Sequence, residues 1–74
     1  MYTIEQFINE LNEGYIFEFR YMEKTHKVMS FDKKSYVIKK FTNDNKSERE
    51  ESSIVEEKVL KEMWKDISDI TYSY

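Results

Sequence analysis

The sequence predicts a two-layer α+β fold, in which an N-terminal helix and a longer C-terminal helix cover a three-stranded antiparallel sheet. Three observations support this prediction. Apolar residues recur at helical spacing near both ends of the chain, they alternate at a spacing of two in its middle, and 74 residues leave room for one domain. Residues 1–74 are therefore expected to form a single domain around one core.

A short helix is predicted close to the N-terminus. Thr3 and Gln6 have the spacing of a capping box, in which each side chain accepts a hydrogen bond from the backbone N–H of the other residue. Gly14 is expected to end the helix, because glycine adopts a left-handed backbone conformation without a steric penalty. Four apolar residues share one face of this helix: Ile4, Phe7, Ile8 and Leu11.

Three strands are predicted between residues 15 and 41. The second is expected around residues 27–31 and the third at residues 35–41, with polar turns at residues 23–26 and 32–34. Short strands joined by tight turns usually pair in chain order, so an antiparallel meander is the simplest topology. The first strand carries four aromatic residues on one face: Tyr15, Phe17, Phe19 and Tyr21.

The last third of the chain predicts a mobile polar loop at residues 42–51, then a helix, then a tail at residues 71–74. Ser53 and Glu56 have the capping-box spacing, so the helix is expected to begin there and to run to about Ile70, with residues 47–50 as an alternative, earlier start of the same spacing. The predicted core joins this helix to the first strand through five residues: Phe17, Phe19, Leu60, Trp64 and Ile67.

The composition argues against catalysis. The chain has no cysteine, so it offers no thiolate as a nucleophile or metal ligand. His26 is the only histidine and is expected to be a solvated turn residue, and one glycine is too few for a phosphate-binding loop. We therefore predict a non-catalytic protein without a metal or other cofactor. The longest apolar run has three residues, which predicts a soluble chain without a targeting or membrane segment.

Charge is sorted along the chain. Residues 1–23 carry five acidic residues and one basic residue, residues 24–41 carry six basic and one acidic, and residues 42–74 carry nine acidic and five basic. The net charges of these segments are therefore −4, +5 and −4. Such separation predicts opposed electrostatic fields on one small body, which steer encounters with charged partners. We expect the protein to act by binding.

The leading hypothesis is that an acidic surface binds the basic groove of a host protein. A carboxylate array of this kind occupies a groove built for phosphates, through the same arginine and lysine side chains that grip a nucleic acid. The candidate partner-binding residues surround the predicted loop and the start of the second helix: Asp44, Glu48, Glu50, Glu51, Glu56 and Glu57.

Two alternatives stay open. The basic hairpin of residues 24–41 sets lysines beside aromatic residues, as platforms for single-stranded nucleic acid do, where bases stack and lysines hold phosphates. Its candidate nucleic-acid-binding residues are Lys33, Lys34, Tyr36, Lys39 and Lys40. The other alternative is a self-assembling structural module, because surfaces of opposite sign permit head-to-tail association. The net negative charge of the whole chain favours the acidic hypothesis.

The order of predicted elements is similar to that of a known family. An aromatic strand follows Gly14, residues 36–38 form a further strand, and a polar acidic insert precedes Ser53-Ile54-Val55-Glu56, which leads to Trp64. In this order the chain resembles small phage-encoded anti-CRISPR proteins, which block the DNA-binding groove of an RNA-guided nuclease. The resemblance implies an inhibitor of phage or mobile-element origin, whose acidic loop mimics the phosphates of DNA in the cytoplasm of an infected or host bacterial cell.

Overall fold

The computed structural model of the protein describes residues 2–32, 34–43 and 48–73. Within these ranges, helix α1 spans Ile4–Asn12 and helix α2 spans Glu57–Met63, continued by a 3₁₀ turn at Trp64–Asp66. The same ranges contain five strands, which form one antiparallel sheet in the order β4-β3-β2-β1-β5. Their bounds are β1 Phe17–Tyr21, β2 Lys24–Asp32, β3 Ser35–Asn43, β4 Glu48–Glu56 and β5 Ser68–Tyr72. The α+β class and the N-terminal helix are confirmed, whereas the prediction of three strands is wrong.

Helix α1 begins and ends where the sequence predicts. The Gln6 backbone N–H donates to Thr3 Oγ1 at 3.2 Å, and the Thr3 N–H donates to Gln6 Oε1 at 2.8 Å, which completes the capping box. Gly14 lies just beyond the helix with a φ of +105°, in the region that favours glycine. The predicted helix face is confirmed: Phe7, Ile8 and Leu11 are buried, and Ile4 packs half-buried against them.

The first three strands form the predicted meander, with different turns. A two-residue turn joins β1 to β2 at Met22 and Glu23, whose φ angles are +50° and +65°. The turn between β2 and β3 is held by Asp32, whose Oδ1 accepts hydrogen bonds from the N–H of Lys34 at 2.8 Å and of Ser35 at 2.7 Å. These bonds favour the ionised carboxyl, so they lower the pKa of Asp32.

Residues 48–56 form a strand where the sequence predicts a mobile loop and a helix cap. Residues 42–43 of the predicted loop belong to β3, and residues 44–47 lie outside the described residues. β4 pairs with β3 antiparallel in unbroken register. The prediction is wrong because pairing with β3, rather than an alternating apolar pattern, holds this polar segment extended. Ser53 accordingly lies inside β4, and α2 begins at Glu57, with Glu56 as an N-cap that makes no capping hydrogen bond through its side chain.

The chain leaves the helical conformation at Ile67, before the predicted helix end at Ile70. Ile67 is extended, with φ −82° and ψ 137°, and β5 then pairs antiparallel with β1. Ile67 and Ile70 are three residues apart, which fits one face of a helix and led to the wrong prediction. In the structure Ile67 contacts the core from an extended segment and Ile70 contacts it from β5. The predicted tail is corrected as well: residues 71–72 belong to β5, and residue 74 lies outside the described residues.

The core lies between the two helices and one face of the sheet, here called the inner face; the opposite face is the outer face. Phe17, Phe19 and Leu60 are buried as predicted, and Trp64 and Ile67 pack half-buried against them. The other buried hydrophobic residues are Phe7, Ile8, Leu11, Val28, Tyr36 and Ile38. The predicted two layers are thus present, with both helices on the inner face. Neither helix in the described ranges has the length and apolar character needed to cross a bilayer.

Candidate partner-binding edge of the sheet

Strand β4 forms one edge of the sheet. In the described part of the sheet it pairs with β3 only, so the backbone N–H and C=O groups on its other side point away from the sheet. An edge of this kind accepts a further strand from another chain unless charged side chains discourage it. The chemistry of the β4 side chains therefore decides what approaches this edge.

Four of the predicted acidic residues lie along this edge. Glu50 and Glu51 lie within β4, Glu56 ends the strand, Glu57 opens α2, and all four are exposed. Because side chains alternate along a strand, Glu50 lies on the outer face and Glu51 on the inner face. The other two predicted acids lie outside what the structure describes: Asp44 entirely, and Glu48 in its side chain only.

The acidic strand lies beside the basic strand, and the two are joined by ion pairs. Lys39 Nζ lies 3.5 Å from Glu50 Oε1, and Lys40 Nζ lies 3.6 Å from Glu51 Oε2. The four side chains keep between 36% and 66% of their surface exposed. The opposed charges of the sequence therefore partly cancel within the sheet. Exposed pairs of this kind contribute only about 0–1 kcal/mol each, so basic groups of a partner exchange with these lysines at little cost.

Ile54 is an exposed apolar residue among these carboxylates. It is 60% exposed on the outer face, where it lies opposite Val37 of β3, which in turn lies opposite Met29 of β2. Phe31, 62% exposed, is a further exposed apolar residue of β2, at the point where the pairing with β3 shifts register. Apolar residues with a charged rim are typical of protein-interaction surfaces. The sequence gives no signal for the row of Ile54, Val37 and Met29, because Ile54 faces outward only once residues 48–56 are known to be a strand.

The structure does not bring the predicted nucleic-acid-binding residues to one surface. Tyr36 is fully buried, and its hydroxyl donates a 2.9 Å hydrogen bond to Asn12 Oδ1, so its ring is not available to stack on a base. Burial is also the main reason that the pKa of Tyr36 is raised. The remaining candidates are dispersed: Lys34 in the turn before β3, Lys39 on the outer face, Lys40 on the inner face, and Lys33 outside the described residues.

A smaller basic and aromatic group lies on the outer face. Lys27 Nζ lies 5.7 Å from the ring centre of Phe41, and Lys39 is the cross-strand neighbour of Lys27. A carboxylate stands beside each lysine, since Glu18 lies opposite Lys27 and Glu50 pairs with Lys39. Because an exposed ion pair is weak for both of its members, these carboxylates do not exclude a phosphate; the burial of Tyr36 and the dispersal of the other lysines are what argue against a nucleic-acid platform.

His26 is a buried strand residue, so the prediction that it lies in a solvated turn is wrong. Its side chain is 6% exposed and stacks on Phe19, with ring centres 5.4 Å apart and planes 7° from parallel. Its Nδ1 lies 3.0 Å from the backbone carbonyl oxygen of Lys24. Burial lowers the pKa of His26, against a smaller opposing effect of that carbonyl. The turn closes at residues 22–23 instead, which carries His26 onto the inner face.

Comparison of the chain with known protein families, with curated proteins and with solved structures gives no match. Within residues 2–32, 34–43 and 48–73, no three His, Asp or Glu side chains are grouped so as to hold a metal ion. The exposed edge and the outer face of the sheet are therefore the guides to function.

Proposed function

We propose that this protein is a small non-catalytic interaction protein that binds a basic protein surface through β4 and the start of α2. The observation that carries the proposal is the setting of Ile54, which is exposed near the end of an edge strand, with Glu50 and Glu51 before it and Glu56 and Glu57 after it. An apolar anchor inside a charged rim is the usual anatomy of a protein–protein interface. The acidic rim consists of Glu50, Glu51, Glu56 and Glu57.

The chemistry of this edge favours a partner that handles nucleic acids. Such a protein presents arginines and lysines in a groove shaped for phosphates, and carboxylates spaced along a strand are alternative ligands for those groups. The ion pairs to Lys39 and Lys40 are exposed, so a partner's guanidinium groups compete for Glu50 and Glu51. An RNA-guided nuclease, the target implied by the family resemblance, is one member of this class and a direct test case.

The experiment measures the displacement of labelled DNA from a purified RNA-guided nuclease by increasing amounts of the protein. The test variant reverses three carboxylates of the edge to lysine: Glu50, Glu51 and Glu56. The matched control reverses three exposed carboxylates elsewhere to lysine: Glu5, Glu13 and Glu62. Both variants have the same net charge, so a loss of displacement confined to the edge variant supports the proposal. Equal effects of the two variants contradict it, and wild-type protein that displaces no DNA excludes this nuclease as the partner.

A second variant tests the apolar anchor. Because Ile54 is 60% exposed, Ile54→Ser removes little buried surface from the fold, and its circular dichroism spectrum should match that of the wild type. Loss of a central anchor typically costs more than about 1 kcal/mol, so binding should weaken by roughly tenfold. Unchanged binding contradicts the proposed interface.

The nucleic-acid hypothesis makes the opposite prediction. If Lys27, Lys39 and Phe41 form a binding platform, the purified protein itself shifts a labelled single-stranded oligonucleotide, and the shift weakens steeply with salt. If the oligonucleotide shift is lost in Lys27→Gln and retained in the edge variant, nucleic-acid binding replaces the proposed function.

A further inference from the structure

A cleft opens at the opposite edge of the sheet from β4. It lies between β5 and the residues that precede α1, and its volume is about 430 Å³, within the usual range for small-ligand sites. Tyr2, Phe17 and Tyr72 contribute aromatic surface, Ile67 and Ile70 contribute aliphatic surface, and Asp69 contributes a carboxylate. The acidic edge of β4 takes no part in it.

The two tyrosines of the cleft converge on one carboxylate. The hydroxyls of Tyr2 and Tyr72 both donate to Glu10 Oε2, at 2.8 Å and 3.1 Å. Burial and the neighbouring Glu10 carboxylate raise the pKa of Tyr2, so this hydroxyl keeps its proton and remains a donor. A phenol that donates to a carboxylate gains electron density in its ring. The faces of both rings are thereby better partners for a cation.

Asp69 lies at an irregularity in the pairing of β5 with β1. Its φ is +54°, and the pairing of β1 with β5 shifts register around it, between Arg20↔Ser68 and Glu18↔Thr71. A left-handed conformation is unfavourable for a residue other than glycine, and β-bulges commonly turn a side chain towards a binding site. Asp69 is one of the residues that line the cleft, so the irregular part of β5 places an acidic residue beside the aromatic residues.

We infer that this cleft binds a small organic cation through a methylated ammonium group. Aromatic faces attract a cation, and the carboxylates of Glu10 and Asp69 disfavour an anion. A quaternary ammonium is weakly hydrated and requires no hydrogen-bond acceptors, which suits walls made mainly of rings and isoleucines. A primary ammonium loses more hydration on entering the same cleft and is the weaker ligand.

The first experiment titrates the full chain with choline and with 3,3-dimethyl-1-butanol, its uncharged isostere. Trp64, the single tryptophan, reports binding by fluorescence, because its ring centre lies 6.0 Å from that of Tyr2. Choline should bind with a Kd in the millimolar range or tighter, and the isostere about tenfold more weakly. A peptide with trimethyllysine, compared with its unmodified lysine form, distinguishes a protein side chain from a free amine as the source. Equal binding of choline and its isostere, or no binding of choline and the trimethyllysine peptide, overturns the inference.

The second experiment uses variants of the cleft. Tyr72→Leu should abolish choline binding, and Tyr72→Phe, which keeps the ring but not the hydroxyl that donates to Glu10, should weaken it less. Asp69→Asn and Asp69→Gly both remove the charge, but only the glycine relieves the left-handed strain. If the charge is what binds the cation, the two variants should weaken binding to the same extent. Glu62→Gln, on the exposed surface of α2, is the control and should bind as the wild type does. Circular dichroism monitors folding, and full binding by a folded Tyr72→Leu or Asp69→Asn protein contradicts the site.

Discussion

The ring of Trp64 lies 5.2 Å from the ring of Phe7, measured between centres, with 42° between their planes. Phe7 is fully buried in α1, whereas Trp64 is half-buried at the end of α2. This contact joins the two helices above the inner face, although they are far apart in the chain. The helical layer therefore depends on an aromatic pair as well as on the sheet beneath it.

We expect Trp64→Ala to lower the free energy of unfolding by about 3 kcal/mol, near the lower end for loss of a large aromatic side chain, because Trp64 is only half-buried. Urea denaturation followed by circular dichroism measures the change. Trp64→Phe is the matched variant, since it keeps a ring beside Phe7 and should cost less. Equal stability of Trp64→Ala and the wild type contradicts the contact.

The buried imidazole of His26 predicts a loss of stability in mild acid. Burial lowers its pKa below the ordinary 6.5, so the unfolded chain takes up a proton first as the pH falls. Above pH 6.5 His26 is neutral in both the folded and the unfolded state, so its full contribution to the free energy of unfolding is present. Between 6.5 and the lower pKa of the folded state, the free energy of unfolding declines. The charges of Lys24 and Lys40 act in the same direction.

The measurement compares urea midpoints at about pH 7.5 and about pH 5.5, across the pKa of an unperturbed histidine. His26→Phe keeps a ring against Phe19 but carries no titrating group, so its midpoint should change less between the two pH values. If both proteins lose the same stability, carboxyl groups rather than His26 cause the decline.

The hydrogen bond from Tyr36 to Asn12 joins β3 to the end of α1. Tyr36→Phe removes this 2.9 Å bond and should lower the free energy of unfolding by about 1 kcal/mol, as is usual for one hydrogen bond. Asn12→Ala is the matched variant, and the double variant closes a mutant cycle. Because the two changes remove the same bond, their effects should not add. Additive effects contradict a shared bond.

Helix α1 was predictable because its signals are local. Thr3 and Gln6 are three residues apart, and Gly14 follows directly after the end of the helix, so no distant part of the chain is needed to interpret them. Burial of Phe17, Phe19 and Leu60 was predictable for a similar reason, because large apolar residues at regular spacing seek the core.

Strands β4 and β5 were not predictable in this way. Ser53 and Glu56 fit a capping box, yet they pair with β3, which precedes them in the chain and lies between them and the rest of the sheet. Ile67 and Ile70 fit the stripe of a helix, yet they contact the same core from an extended segment and from β5. Burial was thus predicted correctly for residues whose secondary structure was not, because tertiary pairing overrides local preference.

The candidate site shows the same limit. The composition identifies Glu50 and Glu51 as acidic candidates and Lys39 and Lys40 as basic ones, as though they belonged to two surfaces. Only the register of β3 with β4 shows that they form ion pairs with each other. Ile54 was not predictable as part of the site, because its exposure depends on that same register.

The turn between β1 and β2 carries residues that poorly suit its backbone. Met22 and Glu23 both have positive φ, +50° and +65°, as in the hairpin turns that favour Asn-Gly. A left-handed conformation costs an ordinary residue roughly 1–2 kcal/mol. Met22 is 73% exposed, so its replacement loses little packing, and Arg20 Nη2 donates to the backbone carbonyl of residue 23, which any substitution keeps.

The double substitution Met22→Asn and Glu23→Gly should therefore stabilise the protein by about 1 kcal/mol, even after the greater chain entropy of glycine in the unfolded state is counted. For a domain of this size, that gain raises the Tm by roughly 4–8 °C. The matched control is Met22→Ala with Glu23→Ala, which removes the same side chains but keeps the Cβ atoms that disfavour positive φ. Thermal unfolding of the three proteins decides the matter. If the Asn-Gly protein is no more stable than the Ala-Ala protein, the positive φ angles at this turn are not a source of strain.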